Sequence, residues 1–94
     1  MEQRQIERRL VEVHGRLVQA REELAVVEEQ LLSFVETAED ARIRSLVSET
    51  TLADHEWREA SRHAEAMQRG RDAARARVAE LETAEERLLA RLVV

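Results

Sequence analysis

The 94-residue chain has no cysteine, no proline and no lysine, two glycines, and 2% aromatic residues. Without cysteine there is neither a disulfide framework nor a thiolate metal site. So few turn-forming and aromatic residues argue against sandwiches, barrels and mixed sheets. No apolar run approaches the roughly 18 residues that span a bilayer, and the first ten residues, MEQRQIERRL, do not have the pattern of a signal peptide. We therefore expect a cytoplasmic protein that does not enter a membrane.

Alanine, glutamate, arginine, leucine and valine dominate, which is the composition of long helices. A chain of this length forms one domain at most. The net charge of −5 argues against nucleic-acid binding, as does the lack of aromatic residues among the four arginines between positions 69 and 77. A pair of long helices has almost no interior for a catalytic pocket. We expect a non-catalytic all-α protein.

Two series of apolar residues repeat with the 4-3 spacing of a heptad. Read in opposite directions, they match in pairs whose residue numbers sum to 91, which predicts an antiparallel helical hairpin. Charges favour the same direction, because opposite charges then face each other whereas a parallel pairing sets like segments together. The apolar pairs are Phe34–Trp57, Leu31–Ala60, Val27–Ala64, Leu24–Met67, Leu17–Ala74, Val13–Val78 and Leu10–Leu81; the charged pairs are Glu22–Arg69, Glu29–Arg62 and Arg9–Glu82.

Capping signals divide the chain into three helices, over about 2–36, 38–47 and 52–92. Thr37 and Thr51 each precede an acidic residue by three positions, which is close to the capping-box pattern. The short middle helix is predicted at the turn of the hairpin. Its apolar residues are expected to form a small core with Phe34 and Trp57, which face each other in this alignment; they are Ile43, Leu46 and Val47.

The hairpin leaves two sets of apolar residues without a partner. One is a second heptad series on the first helix, at Val11, Val18, Ala25 and Leu32; the other is the C-terminal run of Leu88, Leu89, Leu92, Val93 and Val94. We expect these surfaces to pair two copies into a homodimeric helical bundle. The predicted interface residues are Val11, Val18, Leu32, Leu88, Leu89 and Leu92.

The adjacent carboxylates Glu39 and Asp40 are predicted at the turn, as an acidic tip of the hairpin. Helix capping and solubility are one interpretation. In overall shape and in this dipeptide the chain also resembles the coiled-coil domain of Gre-type transcript-cleavage factors. In that family a tip carboxylate pair helps to hold a catalytic magnesium ion inside RNA polymerase. The resemblance implies an alternative function, a transcription regulator that binds RNA polymerase through the acidic tip.

His55, Glu59 and His63 lie along one side of the last helix and are candidate ligands for a divalent metal. However, the segment HEWRE has glutamate where a metalloprotease helix needs its second histidine. A solvated helix face with incidental histidines is the favoured interpretation. We expect neither a metal nor a cofactor.

The segment ARIRSLVSETTLADHEWREASRHAEAM, residues 41–67, resembles short uncharacterised coiled-coil proteins of actinobacteria. The resemblance implies a bacterial cytoplasmic protein and brings no activity with it. The helical pattern and the apolar surfaces that the hairpin leaves without a partner favour a coiled-coil module for protein–protein interaction, a scaffold or adaptor. We expect the module to bind itself and an unidentified protein.

Overall fold

In the computed structural model, which describes residues 2–92, two long helices follow one another. Helix α1 spans Gln3–Ser48 and helix α2 spans Thr51–Leu92. No strand occurs within the described range, and the predicted all-α class is confirmed. The residues group into two compact units: a terminal unit, Met1–Leu24 with Ala73–Val94, and a hairpin unit, Ala25–Asp72.

The hairpin unit contains the reversal of the chain, which takes only two residues. Glu49 has φ 51°, in the left-handed region, and its amide donates to the Ser45 carbonyl at 3.1 Å, which closes the end of α1. Thr50 caps α2, because its Oγ1 accepts a hydrogen bond from the Ala53 amide at 3.1 Å. The Ser45 hydroxyl donates to the Asp54 carboxylate and so ties the two helix ends together.

The predicted short helix over 38–47 is wrong as a separate element, since these residues continue α1. Thr37 does not start a helix; its hydroxyl donates to the Ser33 carbonyl at 3.0 Å, a bond that a threonine inside a helix can make. The second predicted cap, at Thr51, is displaced by one residue, because Thr50 makes the capping bond. No glycine or proline lies near Thr37 to end the helix.

Small side chains form the seam between α1 and α2 in the hairpin unit. Ala41, Ser45, Ala53 and Ala64 are buried, and Leu31 is the one large buried side chain among the described residues of this unit. Alanine and serine do not stand out in an apolar pattern, so the apolar spacing predicted a seam that ends at Phe34, whereas the seam continues through Ala41 and Ser45.

The small core expected at the turn does not form. Phe34 packs edge-on against the His63 ring, at 6.2 Å between centroids and 81° between planes, instead of against Trp57 as predicted. Ile43, Leu46 and Val47, which were to fill this core, are exposed by 48%, 61% and 79%.

The terminal unit has the larger core residues, arranged in two clusters. Leu17 is fully buried; burying a leucine contributes about 1.5–3 kcal/mol. Every member of both clusters lies on the 4-3 seam except Ala84. One cluster is Ile6, Val13 and Leu88 with Leu10, Leu81, Ala84 and Leu92; the other is Leu17, Ala20 and Val78 with Leu24 and Leu81.

The predicted overhang is wrong for Leu88 and Leu92. Leu88 is only 9% exposed and packs in the cluster with Ile6, and Leu92 packs against the same cluster. Both residues therefore have partners within the chain. Val93 and Val94, the rest of the expected overhang, lie outside the described residues.

The alignment of the two helices differs from the predicted sum of 91. In the terminal unit, His14 Nδ1 lies 2.9 Å from Glu85 Oε2, and Glu82 lies 4.0 Å from Arg21 instead of beside Arg9; these pairs sum to 99 and 103. A shift of one heptad, to a sum near 98, also pairs Leu17 with Leu81, and both residues belong to the same cluster. A shift of seven residues superposes a heptad pattern on itself, so the apolar spacing fits both alignments.

Candidate partner-binding surface

Large apolar side chains remain exposed mainly in the hairpin unit, although its seam buries chiefly alanine. Among residues 2–92, nine of the twelve exposed large hydrophobic residues belong to this unit, so its surface is the leading candidate for binding. These nine are Val26, Leu32, Phe34, Val35, Ile43, Leu46, Val47, Leu52 and Trp57.

Five residues of α1 in this unit, Leu32, Val35, Glu39, Arg42 and Leu46, form a second heptad stripe, which we call the outer stripe. Their 3-4-3-4 spacing places them along one line of the helix. Leu32 and Leu46 each come one position after a buried seam residue, so the outer stripe is rotated by about 100° from the seam. Leu32, Val35 and Leu46 are exposed by 66%, 42% and 61%.

An ion pair occupies the middle of the outer stripe. Arg42 Nη2 donates to Glu39 Oε1 at 2.7 Å, and Arg42 Nε lies 3.2 and 3.1 Å from the two carboxylate oxygens. Hydrogen bonding from Arg42, with its positive charge, lowers the pKa of Glu39, and Glu39 raises the pKa of Arg42. Both groups therefore carry full charge at neutral pH, and they lie side by side on an otherwise apolar line.

The predicted acidic tip is wrong in its location. Glu39 and Asp40 lie inside α1, and about nine residues, or roughly 14 Å of helix, separate them from the turn at Glu49. The error follows from the helix break expected at Thr37. At the turn itself, the one carboxylate with an observed role is Asp54, which accepts the Ser45 hydroxyl. The resemblance to Gre-type factors therefore loses one of its two supports, the acidic dipeptide at the tip.

Four of the six predicted interface residues are exposed. Leu32 lies on the outer stripe, and Val11, Val18 and Leu89 are exposed in the terminal unit by 76%, 41% and 44%. The remaining two, Leu88 and Leu92, belong to the core of that unit. The heptad series that identified Val11, Val18 and Leu32 extends two further steps, to Glu39 and Leu46. That spacing was the sequence signal for the outer stripe.

The three candidate metal ligands do not converge. His55 Nε2 lies 3.5 Å from Glu59 Oε2 with both side chains more than half exposed, whereas His63 packs against Phe34. Within residues 2–92 no group of three or more histidine, aspartate and glutamate side chains is arranged to hold a metal ion.

An open groove of about 380 Å³ lies in the hairpin unit. Its lining includes Phe34, Ala41 and Ala60, together with Arg44 and Glu59, which are both exposed. Small side chains at Ala41 and Ala60 leave space in the groove that larger residues would fill. This geometry suits contact with a side chain of another protein.

Within the described part of the chain, neither helix has a stretch that is long and apolar enough to cross a membrane. Comparison with known proteins gives no match to a family model, to a curated protein or to a solved structure.

Proposed function

We propose that the protein is a non-catalytic helical interaction module, a scaffold or adaptor that associates with itself and binds another protein. The main supporting observation is that the hairpin unit buries small side chains and exposes large apolar ones. Ala41, Ala53 and Ala64 are buried, while Leu32 and Leu46 are more than 60% exposed. Exposing such residues to water costs about 25 cal/mol per Å² of apolar surface. Contact with a further helix would remove this cost.

The accessible surface of the whole chain supports the same proposal. The chain exposes 7061 Å², whereas a folded monomer of 10.9 kDa exposes roughly 5,600 Å² on average. The excess is about 1,500 Å², and a standard protein interface covers about 800 Å² on each partner. The chain can therefore bury the area of one such interface against a partner and still expose as much surface as an average monomer of its mass.

The setting of this module is also proposed. The likeness of residues 41–67 to actinobacterial coiled-coil proteins supports the bacterial cytoplasm. The heptad stripes of α1 support helices as the partners, because a heptad stripe fits the grooves of another helix.

Self-association is tested by sedimentation velocity from low micromolar to near-millimolar concentration. We expect a mass above 10.9 kDa that rises with concentration. A chain that sediments as a monomer throughout would contradict self-association.

Binding of another protein is tested by affinity purification of the tagged chain from its own cell. We expect Leu32→Glu to lose proteins that the wild-type chain retains. Leu52→Glu is the matched control, because Leu52 is equally exposed, by 67% against 66%, and lies on α2, off the outer stripe. Equal recovery with both variants would contradict a role for Leu32 in binding another protein.

A further inference from the structure

The last four residues of the outer stripe are spaced symmetrically about their centre, and the acidic and basic positions exchange when the order is reversed. From Val35 to Leu46 the order is apolar, acidic, basic, apolar, with gaps of four, three and four residues. We propose that two copies pack α1 against α1 in antiparallel orientation over this stripe, with the two-fold axis between Glu39 and Arg42. The proposal rests on the self-association proposed above and specifies its surface and symmetry.

Charge complementarity selects the second copy as the occupant and fixes its direction. In this arrangement Glu39 of each copy faces the partner's Arg42, which gives two opposite-charge contacts at the axis. A parallel pairing would set Glu39 against the partner's Glu39 and Arg42 against the partner's Arg42, which is repulsive. A two-fold interface must be self-complementary. The acidic and basic positions of the stripe meet this condition in the antiparallel arrangement.

The ion pair within each copy places Glu39 and Arg42 next to each other, where both can also contact the partner. Arg42 Nη2 and Glu39 Oε1 already hydrogen-bond at 2.7 Å within one copy, so both groups are placed side by side before association. A guanidinium carries five N–H donors and a carboxylate about four acceptor sites. Each group can therefore bond within its own copy and across the axis at the same time.

Apolar contacts flank the charges on both sides. Val35 of each copy faces the partner's Leu46, and these side chains are exposed by 42% and 61% in the single chain. The seam between α1 and α2 at this level includes Ala41 and Ser45, so the helices bury little against each other here. The antiparallel contact would bury the large side chains that this seam leaves out.

Complementary charge reversal tests the proposal directly. Glu39→Arg alone sets four arginines around the axis, and Arg42→Glu alone sets four glutamates there. We expect each variant to raise the Kd of self-association at least about tenfold. In an equimolar mixture of the two variants every central contact joins an arginine to a glutamate, so we expect association to return as a mixed dimer. A role confined to one chain would give no recovery on mixing.

The matched control is the pair Glu12 and Arg16, which lies off the outer stripe with 3.0 Å between Oε1 and Nη2. Glu12→Arg and Arg16→Glu change the net charge by the same amounts. We expect both to leave the Kd unchanged, alone or mixed. If the two control variants also lost association when alone and regained it when mixed, net charge would explain the effect and the proposal would be overturned.

Cysteine cross-linking gives a second readout, since the chain contains no cysteine. We expect Val35→Cys mixed with Leu46→Cys to form the mixed disulfide in preference to either symmetric one. Preferential Val35→Cys symmetric dimers would overturn the antiparallel alignment.

The outcomes separate this inference from the proposed function. If the wild-type chain is a monomer at every concentration, self-association fails and the inference fails with it. If the wild-type chain associates but the charge variants associate equally well, the inference alone is overturned. If the charge variants instead lose a different protein in affinity purification while the dimer persists, the stripe binds that protein and the inference is overturned.

Discussion

Single residues decide where the chain reverses. Glu49 takes a left-handed backbone that costs a residue with a Cβ roughly 1–2 kcal/mol, and the hydrogen bonds around Thr50 and Ser45 offset that cost. The residue pattern favours Thr51 as the cap instead of Thr50. An acidic residue, Asp54, follows Thr51 by three positions, whereas Ala53 follows Thr50 by three. Capping depends on the local backbone turn, which a residue pattern alone does not determine.

Thr50→Ala tests this assignment. We expect it to lower the free energy of unfolding by about 1 kcal/mol, because the Ala53 amide loses its acceptor. Thr51→Ala removes the same atoms one residue later and is expected to change stability by a few tenths of a kcal/mol. Urea unfolding followed by circular dichroism measures both. A larger loss in Thr51→Ala would show that the cap predicted from the sequence is the real one.

At the scale of the helices, α1 has 46 residues and α2 has 42, and each contains one glycine. The spacing of large apolar residues predicted the seam correctly where those residues occur, from Ile6 to Leu31 and at Val78. It did not follow the seam through Ala41 and Ser45, because small side chains give no contrast with a surface rich in alanine. Burial depends on the neighbouring helix, which the residue pattern does not contain.

Gly15→Ala and Gly70→Ala are expected to stabilise the fold by about 0.5–1 kcal/mol each, since glycine inside a helix loses more backbone entropy than alanine. A Cβ at either position would meet no atom within 4 Å, so no strain opposes the gain. Thermal unfolding of the single and double variants measures the effect. A melting temperature that falls in either variant would mean that one of these glycines has a role the helix does not show.

At the scale of the whole molecule, the sequence predicted the direction of the helix pairing but not its alignment. The apolar heptads fit the predicted sum of 91 and a sum near 98 equally well. The two-residue turn at Glu49 and Thr50 leads to the latter. The sequence predicted only part of the exposed outer stripe, at Leu32, because the charged residues Glu39 and Arg42 interrupt its apolar pattern.

Nitroxide labels test the alignment within the terminal unit, since the chain has no native cysteine. We expect His14→Cys with Glu85→Cys to give a shorter label distance than His14→Cys with Arg77→Cys. His14 contacts Glu85, and Arg77 is displaced along α2 by eight residues, or about 12 Å. Pulsed electron resonance measures both distances. The reverse order would restore the alignment with a sum of 91.

The uneven seam has a consequence for how the chain folds. The helix contact nearest the turn, Ser45 with Asp54, closes a loop of nine residues, but the seam there buries mostly alanine. The contact of His14 with Glu85 closes a loop of 71 residues, and the leucine- and valine-rich clusters lie in that unit. Closing a longer loop costs more entropy, so the strongest contacts form only after the weakest have brought the helices together. We expect a transition state ordered around the turn, with slow folding for a helical protein, which stopped-flow measurements over a range of urea concentrations would reveal.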